Sequence, residues 1–215
     1  MVSQVLRVLK YRPLHFFQYV RTHLLFQRTR FFLPLLQAIG YFPKNIWIGK
    51  SVRFQRIHSL RAELPDSKII VGDRSIIYEN AYIEAFGEGL IEIGECSVIG
   101  DARICSRGKI IIGKRLLTSW NVMIQDFESH PLDPGLRGKQ VAGICGIPPG
   151  IPDWKFPVSP IEIGDDVWLG ANVTILKGAK IGSGCVVAAN SVVVQGDWPA
   201  NSILAGAPAK VVKSL

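Results

Sequence analysis

At 215 residues and 23.7 kDa the chain is long enough for one main domain with a sizeable core. Its 48% apolar and 20% charged residues are a globular composition, and no uncharged apolar run reaches the ~20 residues a membrane-spanning helix needs. The net charge of +8 belongs to one end: eleven of the 25 basic residues and none of the acids precede Glu63, so the other 14 basic residues face 17 acids.

Residues 1–45 mix seven of these Arg and Lys residues with aromatic side chains such as Phe16, Phe17, Tyr19, Phe31 and Phe32, and a helical pattern is expected as far as Pro34. Two readings coexist. The segment caps the open end of a stacked fold, or it lies as an interfacial helix on an anionic membrane surface. No reader motif or basic groove for nucleic acid is visible. The start, "MVSQVLRVLKYRPLHFFQYVR", has neither a long apolar stretch nor a small-residue cleavage site. A cytoplasmic location is expected, with residues 1–45 as the candidate peripheral contact on the inner face of the membrane. Cys96, Cys105, Cys145 and Cys185 are scattered, and the histidines are His15, His23, His58 and His130. No metal site is expected from that spacing.

From residue 46 onward a period of six takes over. It is clearest from Ile163: IGDDVW, LGANVT, ILKGAK, IGSGCV, VAANSV, VVQGDW. The first position is always aliphatic (Ile163, Leu169, Ile175, Ile181, Val187, Val193), and the fifth is small or β-branched in the first five units. The register recurs from Ile48, Val71, Ile93 and Ile112 with small slips. Six fits neither the 3.6-residue helix nor the two-residue strand alternation. It fits a short flat strand plus a turn, three of which make one coil of a triangular prism with an aliphatic column inside. The glycines at the second position and Asn172 and Asn190 suit turns of positive φ. A sandwich is the alternative, with less regular turn spacing.

The stretch "QDFESHPLDP", residues 125–134, ends this rhythm. The repeat resumes only at Ile161 or Ile163, leaving residues 130–160 as a long Pro- and Gly-rich excursion. Loops of that length inside a compact domain are usually functional or disordered, and the prolines favour a shaped one.

The motifs "SHPLDP", "IGDDVWLGANVTILKGAKIG" and "DWPANSILAGAPAKVV" resemble the hexapeptide-repeat acyltransferases, in particular the maltose, galactoside and sugar O-acetyltransferase branch and the surface-polysaccharide acetyltransferases. The resemblance covers roughly residues 46–213. It implies an all-β fold, a left-handed parallel β-helix over 46–197 with the loop 130–160, and a C-terminal extension, 198–215, that leaves the prism and runs back along it. It further implies acetyl-CoA as co-substrate, a sugar or glycan acceptor, and a homotrimer whose sites lie between neighbouring prisms. His130 matches the family's general base, a task for which histidine is suited near neutral pH. Asp126 or Glu128 is placed to orient the imidazole; the alternatives are solvated turn acids with a backbone carbonyl orienting the ring.

Carrier contacts follow from the same resemblance. Trp168 matches a tryptophan packed beside the active site, and Ala171 a residue whose backbone N–H meets the thioester. Gly170 is grouped with them, Ala189 matches a pantetheine contact, and Gly206 and Lys210 match the nucleotide end. Asp101 aligns with an acceptor-binding asparagine, a departure that touches acceptor identity. Val194, Gln195 and Gly196 replace a Thr-Lys pair, and one additional residue precedes His130. The expected reaction is O-acetylation of a sugar hydroxyl. The alternatives are N-acetylation of an amino sugar and a non-catalytic anion-binding scaffold.

Overall fold

The computed structural model describes residues 35–36, 42–55, 59–148 and 155–215. Six residues are enough for one short strand and one turn, so consecutive strands fall in three different sheets and every third strand stacks on its predecessor. The first sheet orders β1 (Ile46–Ile48), β4 (Lys68–Val71), β7 (Leu90–Ile93), β10 (Lys109–Ile112), β13 (Ile161–Ile163), β16 (Ala179–Ile181) and β19 (Gly196–Trp198). The second orders β2 (Arg53–Phe54), β5 (Ile76–Ile77), β8 (Val98–Ile99), β11 (Leu117–Thr118), β14 (Trp168–Leu169), β17 (Val186–Val187), β20 (Ser202–Gly206) and β21 (Ala209–Ser214). The third holds β3 (Leu60–Ala62), β6 (Tyr82–Ala85), β9 (Ala102–Ser106), β12 (Val122–Gln125), β15 (Thr174–Leu176) and β18 (Val192–Val193). All pairings except β20 with β21 are parallel, which makes the molecule a parallel β-helix.

Stacked columns of aliphatic residues, the first positions and the inward-facing residues beside them, supply the core. Ile46, Ile69, Ile91, Ile110 and Ile161 stand in register on the first sheet. Ile83, Ile104, Ile124, Ile175 and Val193 do the same on the third. All of these but Ile46 are fully buried. Burial of each such side chain contributes about 1.5–3 kcal/mol, and β-branched residues suit the flat strands that present them. Cys105 and Cys185 are likewise buried in free form. Burial pushes the Cys105 thiol up, so it remains protonated filler.

The glycine expectation is corrected. Gly164, Gly170 and Gly182 do not adopt positive φ; they are required because coils stack closely at the corners. A Cβ on Gly170 would sit 2.7 Å from the Ala189 N and 3.0 Å from the Val187 O. The asparagine expectation holds: Asn172 and Asn190 have φ of 57° and 60°, and Asn121 joins them at 54°. Their amides hydrogen-bond in a ladder, Asn121 to Asn172 and Asn172 to Asn190, each at 2.9 Å.

The C-terminal expectation shifts by about ten residues. The chain does not leave the prism after Asp197, because β19 and β20 still add parallel rungs to the first and second sheets. Reversal comes at Gly206–Ala209, where β21 folds back antiparallel on β20. Most of the segment 1–45 lies outside the described residues, and so do His15, His23 and His58. Among the described residues no helix is long and apolar enough to cross a membrane.

Candidate active site

Turns from the second sheet into the third stack along one edge of the prism. That edge collects Asp101, Trp120, Gly170, Ala171, Ala189 and Gly206, residues scattered over a hundred positions in sequence. The stacking is direct: Val122 N–H donates to Asp101 O at 3.0 Å, Asn172 N–H to Trp120 O at 2.9 Å, and Asn190 N–H to Ala171 O at 2.8 Å. Ala171 N–H has no acceptor among the described residues. Gly206 N–H donates to Ser191 Oγ at 3.2 Å, and Lys210 is exposed, paired in register with Ala205 on the terminal hairpin. Five of the six positions expected to meet the carrier therefore lie along or beside one edge of the prism. Gly170 is buried, and its lack of a side chain is already demanded by coil stacking.

Trp168 sits on the outer face of the second sheet, with 48% of its surface exposed and its indole N–H 3.4 Å from Ser119 Oγ. Together with Asp101 it lines a groove of about 490 Å³. Among the described residues no group of three His, Cys, Asp or Glu side chains is placed to hold a metal.

His130 is elsewhere. Its loop leaves the prism where the third sheet would turn into the first, through a narrow neck. Phe127 bridges Val158, Glu128 N–H donates to Pro157 O at 3.0 Å, and Ser159 N–H donates to Asp126 O at 2.9 Å. Phe127 packs edge-on against Phe86 and Phe156, and the Arg107 guanidinium lies 3.8 Å from the Phe156 ring centre. Beyond the neck the loop forms a helix, α1 (Pro134–Ile144), which the sequence reading did not anticipate. Asp133 caps it by accepting from Leu136 N–H at 2.7 Å, and Pro134 occupies the first turn.

This helix folds back on the "HPL" turn. Arg137 donates to the carbonyls of Pro131 and Leu132 at 2.8 and 2.9 Å, and Gln140 Oε1 lies 2.9 Å from His130 Nδ1. The imidazole is thus held by Gln140. Neither acid ahead of it plays that part, which corrects the expectation for both. Asp126 is fully buried and points into the preceding coil, accepting from Ser106 Oγ (2.7 Å), Arg107 N–H (2.9 Å) and Gly108 N–H (3.1 Å). Glu128 pairs with Lys177 at 3.2 Å. Gln140 escaped the sequence reading because it lies ten residues away, on a helix whose only signal is the Asp133-Pro134 pair. His130 lies outside the Trp168 groove, so one chain does not bring the two together.

A family model for the bacterial transferase hexapeptide (six repeats) matches residues 160–195. A protein of Escherichia coli K12 described as a lipopolysaccharide biosynthesis O-acetyl transferase, WbbJ, is 35% identical over 149 residues, which are 69% of this chain and 72% of that protein. The chain belongs to the hexapeptide-repeat acyltransferase family. The prism is accordingly the left-handed one of that family. A protein described as an acetyltransferase of Mycobacterium tuberculosis H37Rv is 31% identical over 173 residues, and the chain spans 57% of its length. Among solved structures, an N-acyltransferase of Bacillus cereus in complex with dTDP and coenzyme A shares the fold, with a TM-score of 0.59 and 17% identity over 83% of this chain and 88% of that one. So does a Vibrio cholerae acetyltransferase complexed with acetyl coenzyme A, with a TM-score of 0.50 and 24% identity over 92% and 88%.

Proposed function

We propose that this protein transfers an acetyl group from acetyl-CoA to a hydroxyl of a sugar or glycan precursor, with His130 as general base. The observation that carries the reading is the His130–Gln140 hydrogen bond. With Gln140 Oε1 accepting, the proton sits on Nδ1 and the Nε2 lone pair is left to take a proton. The E. coli relative, described as an O-acetyl transferase of lipopolysaccharide biosynthesis, supports the oxygen acceptor.

The chemistry needs few parts. Nε2 removes the hydroxyl proton as the acceptor oxygen attacks the thioester carbonyl. The tetrahedral oxyanion is met by a backbone donor, for which the Ala171 N–H, without an acceptor among the described residues, is the candidate. Collapse expels the CoA thiolate, which takes the proton back from the imidazolium, leaving an O-acetyl ester and CoA. Direct transfer asks for no nucleophilic cysteine, in keeping with a buried, protonated Cys105. The small residues Ala171 and Ala189, with Gly206 and Lys210 beyond them, line the carrier's path, and lysine is an ordinary phosphate partner.

His130 and the carrier edge lie on different edges of one prism, so the complete site draws on a neighbouring copy, and a homotrimer is the proposed assembly. Location on the inner face of the membrane through residues 1–45 belongs to the same proposal. Acetyl-CoA turnover by His130→Ala tests the base: a loss of about 10² to 10⁴-fold is expected. A near wild-type rate with an acceptor the parent uses refutes it.

A further inference from the structure

We propose that the groove on the second sheet is an extended acceptor site for an oligosaccharide without anionic groups. Its floor is apolar: Val98, Leu117 and Trp168 stand in register on the outward face of consecutive strands. Its wall rises at the sheet edge, where Tyr78 and Trp120 are 39% and 75% exposed. Glu79, Asn80 and Asp101 supply polar groups between these rings. The carboxylates of Glu79 and Asp101 form no ion pair or hydrogen bond among the described residues.

Each part answers to sugar chemistry. A pyranose offers a flat face of C–H bonds, which an indole or phenol ring covers well, and a belt of hydroxyls, which carboxylates and amides bind as acceptors and donors. The volume of about 490 Å³ lies in the range of pockets that enclose a ligand larger than one sugar unit, roughly 300–1,000 Å³. The charge decides between acceptor classes. The described lining contains Glu79 and Asp101 and no Lys, Arg or His. A nucleotide diphosphate or a sialic acid would set its own negative charge against the carboxylates of Glu79 and Asp101, an arrangement that costs affinity. The groove reaches the carrier edge through Trp168, two residues before Gly170. A chain of sugars lying along it presents one end there.

The proposal rests on the acetyl-transfer reading for its reaction, and its binding is read independently. The full-length protein without acetyl-CoA is applied to an array of neutral and anionic oligosaccharides of one to six units and of nucleotide sugars. Binding is expected for neutral chains of two or more units. Trp120→Ala should weaken it about tenfold and Trp120→Phe should restore most of it, with thermal midpoint and oligomeric mass unchanged. Preference for anionic or nucleotide sugars, equal binding of monosaccharides, no neutral glycan bound, or indifference to Trp120→Ala each overturns the proposal. So does a changed oligomeric mass in Trp120→Ala, which would make Trp120 an interface residue. Binding without acetyl transfer to the bound glycan refutes the transferase reading alone. Acetyl transfer to an anionic acceptor refutes the groove alone.

Discussion

Asp126→Ala separates a structural acid from a catalytic one. Asp126 is fully buried and accepts three hydrogen bonds, from Ser106 Oγ, Arg107 N–H and Gly108 N–H. Ser106 ends β9, and Arg107 and Gly108 form the turn into β10, so the carboxylate ties the base of the loop to the coil before it. Hydrogen bonds to charged acceptors are worth about 1.5–3 kcal/mol each, and a buried donor left without a partner costs ~1–3 kcal/mol. Ser106 is buried, while Arg107 and Gly108 are half-buried and regain some hydration when the carboxylate is removed. Counting ~1 kcal/mol for each donor gives a loss of about 3 kcal/mol. For a chain of this length that lowers the thermal midpoint by about 6–12 °C. Melting followed by circular dichroism measures it. Below the new midpoint, the acid limb of the kcat/KM profile should stay where it is in the parent, because the imidazole contacts Gln140. A midpoint within about 2 °C of the parent, combined with a displaced acid limb, would refute the assignment and return Asp126 to the role of orienting acid.

Gln140→Glu puts a carboxylate beside His130 Nδ1 and favours the imidazolium. The acid limb of kcat/KM is then expected to move up by about one pH unit, while Gln140→Ala lowers kcat at an unchanged acceptor KM. An unmoved limb in the Glu variant would show that the contact plays no part in turnover. Stability should fall in acid. Glu95 is held below the usual carboxylate range by hydrogen bonding to Lys114 and the charge of Arg74, and Asp166 by its hydrogen bond to Arg115. The unfolded chain binds more protons at these groups, so their contribution is full above about pH 4.5 and fades as pH falls. All of these groups are partly or fully exposed, so the effect is small and about 0.5 M salt should reduce it. Urea midpoints at pH 6 and near pH 3.5, with and without salt, check this.

Much of the fold was legible because period six is written in aliphatic residues whose burial needs no knowledge of partners. Val71, Ile93, Ile112, Ile163 and Ile181 were placed in one column from spacing, and they are consecutive register partners. The second-position glycines were found for an incomplete reason. Positive φ is a local property that sequence suggests, whereas the approach of Ala189 N to Gly170 depends on the next coil. The candidate site was legible where it follows the repeat, as in the shared edge of Ala171 and Ala189, and obscure where contacts run through space. Asp126 and Glu128 drew attention by adjacency to His130, yet strand alternation and the corner turn send them away from it. Gln140 reaches the imidazole only because Asp133 and Pro134 start a helix, and Arg137 then ties that helix to the Pro131 and Leu132 carbonyls. Helix α1 buries none of its residues, so no apolar stripe announced it.

The insertion itself explains how a regular prism can hold His130 in one place. β10 and β13 pair in register, Ile110 with Ile161 and Ile112 with Ile163, as though nothing stood between them. Closing so long a loop costs entropy that grows only slowly with its length, so the prism tolerates it. An unanchored loop would nevertheless leave His130 in many positions. The neck removes that freedom close to the histidine: the Phe127–Val158 bridge lies three residues ahead of it, and Arg107 is stacked on Phe156 on the returning strand. Beyond the neck, Gln140 fixes the ring and Arg137 the turn. The imidazole is therefore positioned from two sides by its own loop, whereas the edge that holds Ala171 and Ala189 is built by coil stacking alone. Two sites made rigid by separate means need only a fixed spacing between prisms to become one, and this is why the assembly proposed above carries as much of the mechanism as any single residue.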